Sequence, residues 1–305
     1  MLKSMYSGVT GMKGLQTKMD VISNNIANVN TTGFKAGRVR FEDMISQVNT
    51  RAQGPNGNGL GGSNAQQVGL GVQVGATDTL MGGGSLQTTG RDLDFGIQNG
   101  DNSFFVVSGD EGTNLQYTRD GGFYADNEGN LTTAGGYKVM GYKPGVVTEN
   151  TEDANINWGQ NGGEDKLVSL TIPVELNVSK DPNTPQMEKL QSYNIDNSGW
   201  ITGTYSDGKS YVVGRVALTS FTNPNGLEKT GGNMYKATAN SGEPINGGPS
   251  EAGFGLIRSG YLEMSNVDLA NEFTEMIVAS RAYQANSRSI TVSDTMLEEL
   301  LNLKR

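Results

Sequence analysis

The 305-residue chain contains neither cysteine nor histidine. Without cysteine there are no disulfides, no thiolate nucleophile and no sulfur-ligated metal. Without histidine the commonest general base and metal ligand is missing too. These absences weigh against an enzyme and leave room only for carboxylate or Ser–Lys chemistry, for which no motif is present. Long apolar runs are also lacking. None approaches the ~18 residues of a membrane span, and the first residues lack the apolar core of about 7–15 residues that marks a secretory signal. The expectation is no membrane insertion and, if the chain leaves the cell, export without a cleaved signal peptide. Basic residues are outnumbered, 23 Lys and Arg against 32 Asp and Glu, for a net charge of −9. That balance argues against a nucleic-acid partner, which needs a basic patch to neutralise phosphates.

Glycine is plentiful, 44 of 305 residues, about twice the usual ~7%; with no every-third-residue period it excludes collagen and points to many turns between short strands. The C-terminal end is the exception, since from Tyr261 onward there is neither Gly nor Pro. This contrast predicts a long helix over 265–305, opened by a capping box of Ser265 and Asp268. Within it Leu269, Met276, Tyr283, Ile290 and Leu297 recur every seven residues, flanked by Phe273, Ile277 and Leu301. This is a coiled-coil seam. Ser280, Ser287 and Asp294 stand where aliphatics would complete it, which suits a helix packed among several neighbours better than a two-stranded zipper.

A second heptad track lies at the other end: Met5, Met12, Met19 and Ile26. Gly8, Gly11 and Gly14 each weaken that helix by about 1 kcal/mol relative to Ala, so it needs a partner. The C-terminal helix, with the same period, is the natural one. The alternative is that each helix lies on its own domain, with its Met residues as ordinary core.

The expected architecture is α+β, mainly β: residues 1–30 and 259–305 as an inner core of paired coiled-coil helices, 31–80 as a Gly/Asn-rich linker, 81–143 and 193–258 as a nested β domain, and 144–192 as an inserted outer domain or excursion. Strand-like runs at 94–97, 103–107, 115–118, 137–140, 167–178 and 210–218 alternate with Gly, Asn and Asp turns. Three apparent ligand motifs fail. Gly69-x-Gly71-x-x-x-Gly75 misses the dinucleotide spacing, Asp126-Asn127-Glu128-Gly129-Asn130 reads as a tight hairpin turn, and Asn194, Asp196, Ser198 and Gly199 start a calcium loop whose twelfth position is Tyr205, where a bidentate Glu is required. No metal or cofactor is expected.

Where the first helical pattern stops, Asn24-Asn25-Ile26-Ala27-Asn28-Val29-Asn30 leads into Thr31-Thr32-Gly33-Phe34-Lys35. By composition this is a helix stop. It also resembles the signature of the bacterial flagellar rod and hook axial proteins, as does Ser265 to Leu269 with Arg281 to Asn286 near the C-terminus. Within that family Met5 to Val9, Arg38 to Phe41 and Gln66 to Val72 are most similar to hook members, while distal rod members share many of the motifs. The resemblance covers roughly 1–143 and 193–305. It implies a homo-oligomeric helical tube, a flexible coupling outside the cell that passes torque from rod to filament. Its implied partners are the distal rod, hook-cap and hook–filament junction proteins and the flagellar type III export apparatus. A secreted carbohydrate-binding or hydrolytic β protein would explain the turns and the acidity but leaves the two heptad ends unexplained.

Overall fold

The computed structural model describes residues 2–54, 61–110, 112–143, 167–177 and 187–303. The described chain is mainly β, with one long helix near each terminus. It divides into two compact units. Unit 1 holds residues 1–28, 36–80 and 267–305; unit 2 holds 29–35 and 81–266.

Unit 1 is built on helix α1 (Leu2–Ala27) and helix α2 (Leu269–Asn302). Helix α1 ends where the Asn28 N–H reaches back to the Asn24 and Asn25 carbonyls at 3.1 and 3.2 Å. The N-cap of α2 is Asp268, not Ser265: its carboxylate accepts the N–H groups of Ala270 and Asn271 at 3.0 and 3.4 Å. A carboxylate there also complements the positive end of the helix dipole, which is why the helix starts three residues later than the capping-box pattern suggests. Its 34 residues span ~51 Å at 1.5 Å per residue.

The two helices run antiparallel. Ser4 and Ser293 hydroxyls lie 3.4 Å apart, Lys18 pairs with Glu275 at 3.0 Å, and Asn25 donates to Glu272 at 3.1 Å. Two of the helical glycines, Gly8 and Gly11, sit in this contact, while Gly14 faces the Phe41 ring. A Cβ on Gly8 would lie 3.1 Å from Ile290 Cγ1, and one on Gly11 would lie 2.9 Å from Asn286 Nδ2. What Gly costs in helix propensity is offset here by close approach of the two helices.

Residues 31–80, extended and linker-like by composition, carry four strands. Strand β1 (Gly37–Asp43) pairs antiparallel with β4 (Val72–Thr79), and β2 (Ser46–Thr50) pairs with β3 (Gln66–Gly69). In β4 the half-buried Val74, Ala76 and Asp78 alternate with exposed Gln73, Gly75 and Thr77. One side of the strand is covered, and the period of two is hidden in the sequence by Gly and Asp.

Unit 2 is one antiparallel sheet system. From one edge its strands run 175–177, 187–195, 200–205, 210–216, 138–142, β7 (Ser103–Ser108), β8 (Leu115–Thr118), 234–236 and 228–231; β5 (Leu86–Thr88) and β6 (Phe95–Gln98) pair apart from it, with 261–263 and 256–259. Strand β7 is buried throughout, as its unbroken apolar run Phe104-Phe105-Val106-Val107 implies for a strand covered on both faces. Alternation sends Phe105 and Val107 into one core with Phe95 and Phe123, and Phe104 and Val106 into a second with Tyr117, Phe221 and Tyr235. The Phe105 and Phe123 rings meet edge-on at 5.3 Å. Asp126–Asn130 is the hairpin turn joining 123–125 to 131–133. Of the expected excursion 144–192, residues 144–166 and 178–186 lie outside the described residues, and the strands at 168–169, 175–177 and 187–195 belong to the same sheet.

Candidate functional site

Two features of the sequence were candidates for function, the heptad tracks and the Asn-rich motif. In unit 1 the expected seam residues separate into two groups. Met5, Met12, Met19, Ile26, Met276, Ile290 and Leu297 are half-buried, whereas Leu269, Phe273, Ile277, Tyr283 and Leu301 are exposed. Ile277 is 62% exposed and Leu301 71%. Between the half-buried heptad positions of α2, the residues turned inward are Ala279, Asn286 and Ser293, three residues on from Met276, Tyr283 and Ile290 rather than the four that select Ser280, Ser287 and Asp294. The seam is thus completed by small and polar side chains, with Asn286 against Gly11 and Ser293 beside Ser4.

The outward side of α2 carries apolar rows with a four-residue spacing. Leu269, Phe273 and Ile277 form one row and Val292, Met296 and Leu300 another; residues i and i+4 share one helix face. The seven-residue track misses the second row, whose spacing is visible in the sequence once a four-residue period is sought. The β2–β3 ribbon adds Ile45, 85% exposed, with Val48 and Val68. Exposed apolar rows of this kind point to protein–protein contact.

The motif residues do different work. Asn25 is buried and pairs with the Gly37 backbone as a strand residue would, its Nδ2 donating to the Gly37 carbonyl at 2.8 Å and its Oδ1 accepting the Gly37 N–H at 2.9 Å. Asn28 donates to the Asn24 carbonyl and side chain. Thr32 and Gly33 lie in unit 2: the Thr32 hydroxyl donates to Asp120 at 3.0 Å, and Asn233 donates to the Thr32 carbonyl at 3.0 Å. Gly33 adopts φ +66° with the Asp120 backbone nitrogen only 2.6 Å from where a Cβ would stand. Phe34 lies under the Lys229 ammonium, 4.9 Å from the ring centroid.

Lys35 is fully buried. Its ammonium donates to Glu263 Oε1 at 2.5 Å and to the Gly82 carbonyl at 2.9 Å; Arg119, also buried, donates to Glu263 Oε2 at 3.0 Å. Arg119 reaches on to the Gly100 and Asp101 carbonyls, and Glu263 accepts the Gly84 N–H at 2.9 Å. Burial pulls the Lys35 ammonium below its usual value, against Glu263, which holds it up. For Glu263 burial pushes upward, but Arg119 and Lys35, with the Gly84 N–H, outweigh it and hold the carboxyl low. One carboxylate thus neutralises part of two buried cations, an arrangement that is costly to break at any one member. Sequence reasoning singled out Lys35 but not Glu263 or Arg119: Arg119 follows the strand-like run 115–118 and precedes Asp120, and nothing local distinguishes either charge from one in solvent. The cluster has the chemistry of a structural anchor, with no nucleophile beside it. Among the described residues no group of His, Asp and Glu side chains is arranged to hold a metal, and no helix is long and apolar enough to cross a membrane.

Three family models match the chain: "Flagella basal body rod protein" over residues 5–35, "Flagellar hook protein FlgE/F/G D1 domain" over 99–203, and "Flagellar basal body rod FlgEFG protein C-terminal" over 258–303. The first stops at Lys35 and the last includes Glu263. The flagellar basal-body rod protein FlgG of Bacillus subtilis (strain 168) is 43% identical over 306 residues, and that of Borreliella burgdorferi 36% over 305. The flagellar hook protein FlgE of Borreliella burgdorferi is 32% identical over 446 residues. Each comparison covers 100% of both chains.

Proposed function

Since the chain belongs to the family of bacterial flagellar rod and hook proteins, we propose that it is a subunit of the distal rod. Members of this family are structural proteins of the flagellum, not enzymes, and polymerise into its axial structure. The observation that carries the rod reading is length. The rod relatives match over 305 and 306 positions, against 446 for the hook relative, which a 305-residue chain fills only by long gaps. Measured against the rod relatives, which match end to end over 305 and 306 positions, the stretch 144–192 is no large insertion. The hook reading keeps the hook-like motifs and the 32% identity as its support.

In either case the exposed rows on α2 and the β2–β3 ribbon are the assembly interface, and repeating heterologous contacts that do not close generate a helical tube. Coiled-coil packing of the terminal helices, with Met5, Met12 and Met19 beside Met276, Ile290 and Leu297, forms the wall of that tube. The chain leaves the cell through the flagellar type III apparatus and meets the rest of the rod at one end and the hook at the other. If it is a hook subunit, it meets the cap and hook–filament junction proteins instead.

Electron microscopy of basal bodies from a strain lacking the gene tests the choice. Loss of the straight distal segment is the expected result. An intact straight segment without the curved extension assigns the chain to the hook, and wild-type basal bodies overturn both.

A further inference from the structure

The segments by which unit 2 receives and releases the chain, 29–35, 81 onward and up to 266, are far apart in sequence yet converge on one buried carboxylate. Lys35, the last residue before the chain passes to unit 1, bonds both Glu263 Oε1 and the Gly82 carbonyl. Glu263 accepts the Gly84 N–H with its side chain, and its backbone carbonyl accepts the Gly33 N–H at 2.8 Å. The Met264 N–H reaches the Ser85 carbonyl at 2.9 Å, and Asn266 Nδ2 reaches the Gly82 carbonyl at 3.1 Å. Arg119 fastens this knot to the body of the unit through the Gly100 and Asp101 carbonyls. The backbones are pressed together as well, since a Cβ on Gly84 would lie 1.9 Å from the Met264 carbonyl oxygen.

An apolar plug of equal volume would hold these segments without direction, because hydrophobic burial is insensitive to orientation. Charge-assisted hydrogen bonds fix distances and angles, and buried ion clusters are often no more stabilising than the apolar groups that could replace them. The geometry points to a role other than stability. We infer that Lys35, Glu263 and Arg119 are positioning residues, which hold the entering and leaving segments of unit 2 in one arrangement that the polymer requires. This deepens the axial-subunit reading and rests on it.

The test uses the full chain with K35M/R119M/E263M, which removes all three charges and keeps apolar volume in their place. Hydrogen exchange of the soluble protein is read at the Gly33, Gly84 and Met264 amides, with β7 as the internal reference, and swimming is read in cells carrying only the variant. The expected result is exchange faster by about tenfold or more at the three amides, with β7 unchanged, together with loss of swimming. Unchanged exchange at those amides overturns the clamp. Faster exchange with wild-type swimming overturns its role in assembly while leaving the subunit reading intact, whereas a deletion strain that swims normally overturns the subunit reading itself. Should the triple variant not fold, E263Q, which keeps an acceptor but removes the charge, is read in the same way, and protection at Gly33 and Gly84 equal to that of the wild type overturns the clamp.

Discussion

At the scale of single residues, Glu263 carries the largest expected effect. Glu263→Gln leaves Lys35 and Arg119 buried with no anion between them, at a cost of about 3–5 kcal/mol near pH 7. The folded-state pKa of Glu263 is depressed, so its contribution is fully present above the unfolded value of about 4.3 and is lost as pH falls through the folded one. Urea denaturation of both proteins at pH 7 and pH 3 should therefore show the gap between them narrowing in acid; an equal gap at both pH values would mean that Glu263 is not the ionised partner. The lowered pKa of Lys35 acts in the other direction. Its burial penalty is present at neutral pH and is relieved as pH rises through its folded value. Gly33→Ala forces a Cβ against the Asp120 backbone at φ +66°, and a loss of about 1–3 kcal/mol is expected from the strained conformation alone. A wild-type denaturation midpoint for this variant would show that the 29–35 segment shifts freely.

At the scale of elements, α1 and α2 separate two roles that the heptad pattern merges. Ile290 packs on Gly8, so Ile290→Lys should disrupt the antiparallel helix pair and lower helicity in the far-ultraviolet spectrum of the monomer. Ile277 projects outward, so Ile277→Lys should leave that spectrum unchanged and abolish polymerisation. If both variants behaved alike, α2 would have no distinct inner and outer faces. In the sheet, Phe105 lies at the meeting of three rings, and Phe105→Ala should cost about 3–5 kcal/mol as a core cavity, read as a shift in the denaturation midpoint. Strands such as β7 and β8 were legible because an apolar run bounded by turn residues has few other readings. The strands of 37–79 were not, because Gly and Gln dilute the alternation and a two-stranded ribbon takes its order from backbone pairing and from what it lies against.

At the scale of the whole molecule, the chain is acidic and exposes apolar rows on unit 1, a combination suited to a subunit that stays soluble until it meets its neighbours. With those rows as the proposed assembly interface, purified protein should assemble more readily as salt screens the net charge of −9. Light scattering across a salt series checks this. Scattering that falls as salt rises would place the dominant contacts in ion pairs instead. The choice between rod and hook belongs to this scale too, since it depends on how copies stack rather than on any residue within one copy.

The sequence by itself determined the mainly β class, the two terminal helices, the apolar central strands of the β unit and the family, because each is written in local periodicity, turn residues or a contiguous motif. Only the tertiary structure decided that the motif lysine and Arg119 meet on the Glu263 carboxylate, that Asp268 caps α2, and that Ala279, Asn286 and Ser293 are the α2 residues turned inward. Those facts depend on which distant segments come within hydrogen-bonding distance, and on which flank of a helix a neighbour covers. Local pattern carries no record of either, since a charge buried among partners and a charge in solvent are spelled with the same letter.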